Sequence, residues 1–491
     1  MIPARLVRFS FLSAMTALLH VSSMAAQSVS TEPVEQGCGS LAVARLDLKE
    51  SIRRTEAKHP EWKNHGGMKQ RARIAGGYIE RQFWVQSFAD QTFRQVEASL
   101  LYEGKLVRIW VDNVDTASIS PETIAIMARA LDTATPSGSR DPNKGIVRNN
   151  QDVFGPPPVD YQLDEATDFL LSDIITGAVN FVGFFSPSDQ MPITENPYSN
   201  AMNLLYVDAG SARGDIQSLL GIIAHEHQHL IHYGRNPGSR SFYNEGCSEL
   251  ASIINGYRFR GRYSFIANTN VDLLRWTRID DPGLVGADYE RAMAFHYYLY
   301  EQFGERFIYE LVGAVDVSLG RINIALERTG HGLSYTNWTN VVRDFAAANW
   351  VRHHPIRAYG YTFVPSPDEP PVTERSFEGP VIGATGKVTL ARAASIYHLY
   401  ENPGVLRVGA TGTRAFRIMA MVFRGSEVEV LDMAGEPEIV LGRWGARADR
   451  IVVAYVNLSE DANDVSWHAE SITVGVPDNT LYSRPSSLDL W

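Results

Sequence analysis

Four of the thirteen histidines fall within eight positions of the stretch "GIIAHEHQHLIHYGRNPGSRSFYNEGCSE", residues 221–249. His225 and His229 are four apart, so on a helix both imidazoles reach one ion from a single face, and Glu226 between them completes an H-E-x-x-H match. Tetrahedral zinc takes such a pair and needs a third donor from the protein. His232 shares the face, yet on a continuing helix it lies about 10 Å along the axis from His225 and misses the same tetrahedron. Its expected place is behind the ligands or in a cleft wall. The longer H-E-x-x-H-x-x-G-x-x-H pattern fails, because Arg235 stands at its third histidine. Beyond a turn-forming "GRNPGSRS" comes "NEGCSE", where Glu245 offers a carboxylate ligand on a second helix folded back. Glu249, one turn later on the same face, is placed to receive the ring N–H of a ligand histidine and so fix its tautomer. The plainer alternative puts both glutamates on a solvated helix face.

The helix that carries these residues has a readable wheel. With Ile216 at zero, Leu220, Ile223, His227 and Leu230 cluster within about 40°, which marks a buried stripe. His227 therefore reads as a hydrogen-bonded core histidine and not a ligand. His225, His229 and His232 fall opposite, beside Ser218 and Gly221, whose small side chains leave room for something to approach; this is the expected floor of a cleft.

The surrounding chain is expected to be α+β. Residues 81–211 read as the N-terminal α/β part of a catalytic region, with strands around the "YEGK" hairpin, a helix opened by Ser120 and Pro121, and strand-like "DFLLSDI" and "NLLYVD". Residues 212–363 are mainly helical. A "VPSPDEPP" stretch at 364–371 then precedes short alternating runs at 372–480, read as an antiparallel β-sandwich that folds separately. Residues 27–80 are polar and suit a linker, a pro-segment or loosely packed surface structure.

Composition narrows the function classes. A chain of 491 residues, 44% apolar, builds more than one core. The net charge of −11 argues against nucleic acid as a partner, since such binders concentrate positive charge. The opening 1–26, basic and then apolar and ending in small residues, reads as a cleaved export signal, which predicts a secreted or periplasmic chain. No later segment reads as a membrane span; "FLLSDIITGAVNFVGFF" carries Asp173 and Asn180. Cys38 and Cys247 allow at most one disulfide.

On "AHEHQHLIHY" and "NEGCSELA", and more loosely on the order of "NLLYVDAG" before them and "ADYERAMAFHYYLYEQFG" after them, the chain resembles the hyicolysin-type secreted metallopeptidases of the gluzincin group, relatives of thermolysin. The likeness covers most of residues 150–475. It implies Zn2+ on His225, His229 and Glu245, Glu226 as general base and Glu249 behind the ligands. The chain departs from the family at Cys247, a position more often aliphatic, and in a short spacing from His229 to Glu245.

Three protein ligands leave a fourth position for water, and Glu226 is then the base that takes its proton. Tyr289 in "ADYERA" is the expected oxyanion donor, on one helix face with His296. The expected activity is peptide-bond hydrolysis on a protein or peptide substrate. The alternatives are a zinc amidase acting on cell-wall peptides and a surface binding protein whose metal is structural or absent. No motif encodes cleavage specificity or oligomeric state.

Overall fold

The alternating runs of the first half assemble into one mixed sheet. The computed structural model describes residues 37–43, 46–63, 72–75, 77–160, 163–174, 181–257, 261–277, 282–352, 359–361, 369–434, 436–441 and 448–472. The expected export signal and the first part of the proline-rich stretch, 364–368, lie outside them. In chain order, β1 (Gly37–Cys38) leads into one helical turn, α1 (Ser40–Val43), and then α2 (Leu48–Lys58). After these come β2 (Arg73–Ala75), β3 (Tyr78–Ser87), β4 (Thr92–Glu103) and β5 (Val107–Asp112). Strands β2 to β5 form an antiparallel meander, with the "YEGK" turn between β4 and β5 as expected.

The region 27–80 is thus more than loose surface where it is described. The polar composition concealed a helix that docks partly through hydroxyls: Ser51 and Thr55 are fully buried, Gln86 donates to Ser51 Oγ at 3.2 Å, and the Phe93 amide donates to Thr55 Oγ1 at 2.9 Å.

Helix α3 (Pro121–Ala128) begins at the anticipated cap, where Ser120 Oγ accepts from the Thr123 amide and Pro121 occupies the first turn. It is followed by α4 (Ile146–Phe154), β6 (Thr167–Ser172), β7 (Phe181–Phe185) and β8 (Leu204–Asp208). The sheet order is β1-β7-β8-β6-β5-β4-β3-β2, with β5, β6 and β8 parallel and β7 antiparallel to β8. The apolar run once weighed as a membrane segment supplies β6 and β7, and among the described residues no helix is long and apolar enough to cross a membrane.

The next part is helical: α5 (Ile216–Arg235), α6 (Ser241–Ile254), α7 (Tyr263–Ala267), α8 (Pro282–Gly313), α9 (Gly320–Arg328) and α10 (Trp338–Val351). Helix α5 lays Leu220, Ile223 and Leu230 on Phe169, Leu171, Leu205 and Val207 of the sheet, the stripe expected from the wheel. Gly304, at φ 76°, breaks α8 in a left-handed conformation that glycine adopts without strain.

The C-terminal part is a two-sheet sandwich. Its strands are β9 (Arg375–Glu378), β10 (Ala384–Leu390), β11 (Ser395–Glu401), β12 (Val405–Gly412), β13 (Phe416–Arg424), β14 (Glu427–Asp432), β15 (Glu438–Leu441), β16 (Arg450–Asn457) and β17 (Asn463–Ile472). They pair as β10-β17-β12-β15 and β14-β13-β16-β11-β9, antiparallel but for β9, which runs parallel to β11. With the mixed sheet and helices before it, the chain is α+β, as expected.

Separate folding of the sandwich, however, is corrected. The outer face of its five-stranded sheet buries Tyr397, Met419, Met421, Val452 and Ala454 in one core with Phe345 and Trp350 of α10, and Tyr397 donates to the Ala346 carbonyl at 2.8 Å. The chain from Gly37 onward is a single compact unit. The prolines mark a change of architecture, while apolar residues on both faces of β13 and β16 join it to the helices. Met421→Ala should therefore cost about 2–5 kcal/mol and move helical and sandwich signals together in one chemical-unfolding transition; two separate midpoints would contradict the shared core.

Inside the sandwich His398 is fully buried, stacked edge-on to Trp467 at 4.4 Å and Tyr455 at 4.9 Å, with no hydrogen-bond partner on either ring nitrogen. Burial pushes its imidazole down from 6.5 to about 3. Between those values the unfolded chain binds the proton and the folded chain does not, so stability is lost as pH falls through this window, by up to about 1.4 kcal/mol per pH unit. His398→Phe should flatten the acid limb of a stability-versus-pH curve by one proton; an unchanged slope would mean that His398 is not held neutral.

Candidate metal centre

Helix α5 is capped by Asp215, whose side chain accepts from the Gln217 and Ser218 amides, and runs without interruption to Arg235. The Asn236–Arg240 turn then reverses the chain, so α6 lies back along α5. Two small side chains and a hydroxyl permit the close approach. Ser252 donates to the Gly221 carbonyl at 2.8 Å, and a Cβ on Gly246 would fall inside the His296 ring of α8. The Ser252 bond sets α6 against α5 at Gly221, and the expected open cleft floor is corrected. The face bearing His225, His229 and His232 is covered, with each of the three at most 5% exposed.

The reversal brings Glu245 to the two histidines. Glu245 Oε2 stands 3.3 Å from His225 Nε2 and 3.4 Å from His229 Nε2, and the two Nε2 atoms are 3.1 Å apart. Each Nδ1 faces an oxygen acceptor: Asn244 Oδ1 at 3.1 Å and Ser248 Oγ at 3.1 Å for His229, and Glu249 Oε1 at 3.5 Å for His225. With the ring protons on Nδ1, both Nε2 lone pairs and the Glu245 carboxylate point at one spot with no proton among them. Neither Glu245 oxygen has a hydrogen-bond partner, and the residue is fully buried.

Such a convergence is costly unless a cation fills it. The donor set suits zinc in type and size, since bonds of about 2.0–2.2 Å in a tetrahedron separate ligand atoms by about 3.3–3.6 Å. The triangle here has edges of 3.1, 3.3 and 3.4 Å. Glu226 belongs to the same cluster, its ligand atom within 4.8 Å of those of His225 and His229. Glu226 gives its Oε2 to the Ser40 hydroxyl, whereas Glu245 Oε2 stands within 3.4 Å of both Nε2 atoms and so is placed as a third donor.

The other expected residues take these places. His227 is buried between Thr167 Oγ1 at 3.2 Å and Asn150 Nδ2 at 3.3 Å, and burial lowers its imidazole to about 3, as befits a core histidine. His232 is no part of the triangle. It accepts from Gln228 Nε2 at 3.0 Å, Gln228 Oε1 accepts from Ser248 at 2.5 Å, and Ser248 meets His229, so His232 anchors a relay behind that ligand. Tyr289 is 5% exposed, with its ring 6.4 Å from that of His225. His296 is buried beneath α6 and donates to the Ala292 carbonyl at 2.8 Å. Cys247 is a buried free thiol, which burial pushes up to about 12.

Sequence reasoning missed Asn244, Ser248, Gln228 and Ser40. Asn244 and Ser248 carried a signal: they are four apart and each immediately precedes one of the glutamates, so they share a face of α6 turned to α5. Ser40 carried none. Asn244→Ala should weaken zinc binding roughly 10- to 100-fold through a misoriented His229 ring, with Tyr289→Phe unchanged in the same chelator-competition titration. Unaltered affinity in Asn244→Ala would leave ring orientation to Ser248 alone.

No family model matches the chain, and no curated protein matches it. Among solved structures, that of Salmonella Typhimurium PliG, a periplasmic lysozyme inhibitor of g-type lysozyme, is similar at 8% identity over 20% of this chain and 98% of the other. The TM-score is 0.15, a likeness too slight to bear on the fold or the chemistry of the site.

Proposed function

We propose that the chain is an exported zinc-dependent endopeptidase with a gluzincin-type site. In this reading His225, His229 and Glu245 hold the ion, and Glu249 and Asn244 orient the two rings. The observation that carries the reading is the buried triangle of lone pairs, beside which Glu226 has one oxygen without a hydrogen-bond partner. When bound, zinc would supply Lewis acidity toward a carbonyl and a water pKa lowered to about 7. Glu226, next to His225 on the helix, takes the proton from water and returns it to the leaving amine. Tyr289, beside His225, donates to the oxygen that becomes negative.

An extended polypeptide as substrate is supported by β7. This strand runs beside Glu226, a Cβ on Gly183 standing 3.8 Å from Glu226 Cγ, and its outer edge takes a strand in β1. A purely structural metal would be closed by four protein ligands. Three donors with a carboxylate beside them favour catalysis over a binding module. Export is supported by the basic, then apolar, start of the chain.

The test separates three glutamates that lie close together. Glu226→Gln should keep stoichiometric zinc while turnover of casein or a short peptide falls by about two to four orders of magnitude. Glu245→Gln should lose the metal or hold it far more loosely. Glu249→Gln should be intermediate, reduced about 10- to 100-fold. Zinc stripped by Glu249→Gln but retained by Glu245→Gln would reverse the ligand assignment, and full activity in Glu226→Gln would end the peptidase reading.

A further inference from the structure

The outer edge of β7 is not bare. Strand β1 pairs with it in parallel, Gly37 opposite Phe181 and Cys38 opposite Gly183, and the Gly39 amide donates to the Gly183 carbonyl at 3.0 Å. The next residue closes on the site. Ser40 Oγ donates to Glu226 Oε2 at 2.5 Å, accepts from the Phe185 amide at 2.9 Å and lies 3.3 Å from the Phe185 carbonyl. One hydroxyl therefore covers both the backbone groups at the end of β7 and the carboxylate of the proposed base. Gly39 is what lets the segment lie so close: a Cβ there would stand 2.7 Å from Phe181 Cδ2, 2.8 Å from Phe184 Cβ and 2.9 Å from the Gly183 carbonyl. Beyond it Val43 is 7% exposed against the sheet, which anchors the segment at its C-terminal end.

We propose that Gly37–Ser40 is a built-in occupant of the peptide-binding edge, so that the folded chain is restrained until this segment moves away. The inference rests on the peptidase reading for its consequence and on geometry for its occupancy. An edge strand offers unpaired amides and carbonyls that an extended peptide takes up by adding a strand. Here the chain's own backbone has taken them, and Ser40 occupies one of the two carboxylate oxygens of Glu226. A hydroxyl seated there and on the Phe185 backbone fills positions that a substrate's own polar groups would have to take. The restraint is shallow enough to release. The paired strand is two residues long, and α2 docks on β3 and β4 through Ser51, Thr55 and its own apolar contacts, independently of β1.

Two substitutions act on different parts of the contact. Gly39→Val collides with the Phe181 and Phe184 side chains and should lift the strand from β7; Ser40→Ala leaves the backbone in place and removes the bond to Glu226. In the full-length zinc-loaded chain, with zinc content and circular dichroism checked, Gly39→Val should raise turnover of a short peptide by at least about 10-fold. Ser40→Ala should raise it by about 10- to 100-fold, the worth of one hydrogen bond to a charged group.

A fluorescent synthetic peptide spanning residues 35–43 and carrying Cys38→Ser is the second probe. It should bind Gly39→Val at least about 10-fold more tightly than the unsubstituted chain, and should inhibit the turnover that Gly39→Val releases. Falling turnover in Ser40→Ala with zinc retained would overturn the proposal, because Ser40 would then be positioning the base and not blocking it. Equal peptide binding to both proteins, or binding to neither, would overturn it as well. If no variant cleaves any peptide while the binding difference holds, the occupancy stands and the peptidase reading falls.

Discussion

The constraint on which the rest of the structure depends is the meeting of two imidazole lone pairs and one carboxylate in a buried space. Each group alone is better solvated outside, and together they repel unless a cation lies among them. The protein reaches this arrangement only by fastening two helices back to back. The Asn236–Arg240 turn reverses the chain, the Ser252 hydroxyl bonds to Gly221, and Gly246 lets α8 press His296 against α6. The relay from Ser248 through Gln228 to His232 holds the two helices in one register while it steadies His229. The strength of the clasp is what makes the repulsion tolerable.

The layers outside the clasp serve it from opposite sides. Beneath α5, the parallel strands β5, β6 and β8 supply a rigid apolar floor that fixes the helix's rotation and so aims His225 and His229 away from the sheet. Above α6, α8 and α10 carry the apolar core onward to the outer face of the five-stranded sheet. The sandwich is thereby a wall of the same body, sharing one core with the helices that pack on α6. At the Glu226 side, β7 is flanked by the two-residue strand β1.

Much of this was legible from side-chain types and short spacings. The H-E-x-x-H pair, the buried stripe of α5, the cap at Ser120, the hairpin at "YEGK" and the alternating strands of the sandwich all follow from periods of 3.6 and 2 and from residues with one dominant backbone habit. Those are local properties, set within a turn or a strand. The glutamates of α6 were also within reach, because a reversing turn after a helix leaves few places for the next one. What misled was composition read as architecture: polar residues 48–58 suggested looseness where hydroxyls dock a helix, and prolines suggested separate folding where a second apolar face seals two layers.

By itself, then, the amino-acid order determined which residues can ligate a metal, which face of α5 is buried and where strands alternate. Tertiary structure alone decided that the histidine face is covered by a helix, that Ser248, Gln228 and His232 join in one relay, and that Ser40 reaches Glu226 across 186 positions of chain. The physical reason is the same in each case. Periodicity fixes the direction of a side chain relative to its own element, whereas contact between elements depends on how two cores pack, and a glycine, a serine or an asparagine carries no periodic mark of the partner it will meet.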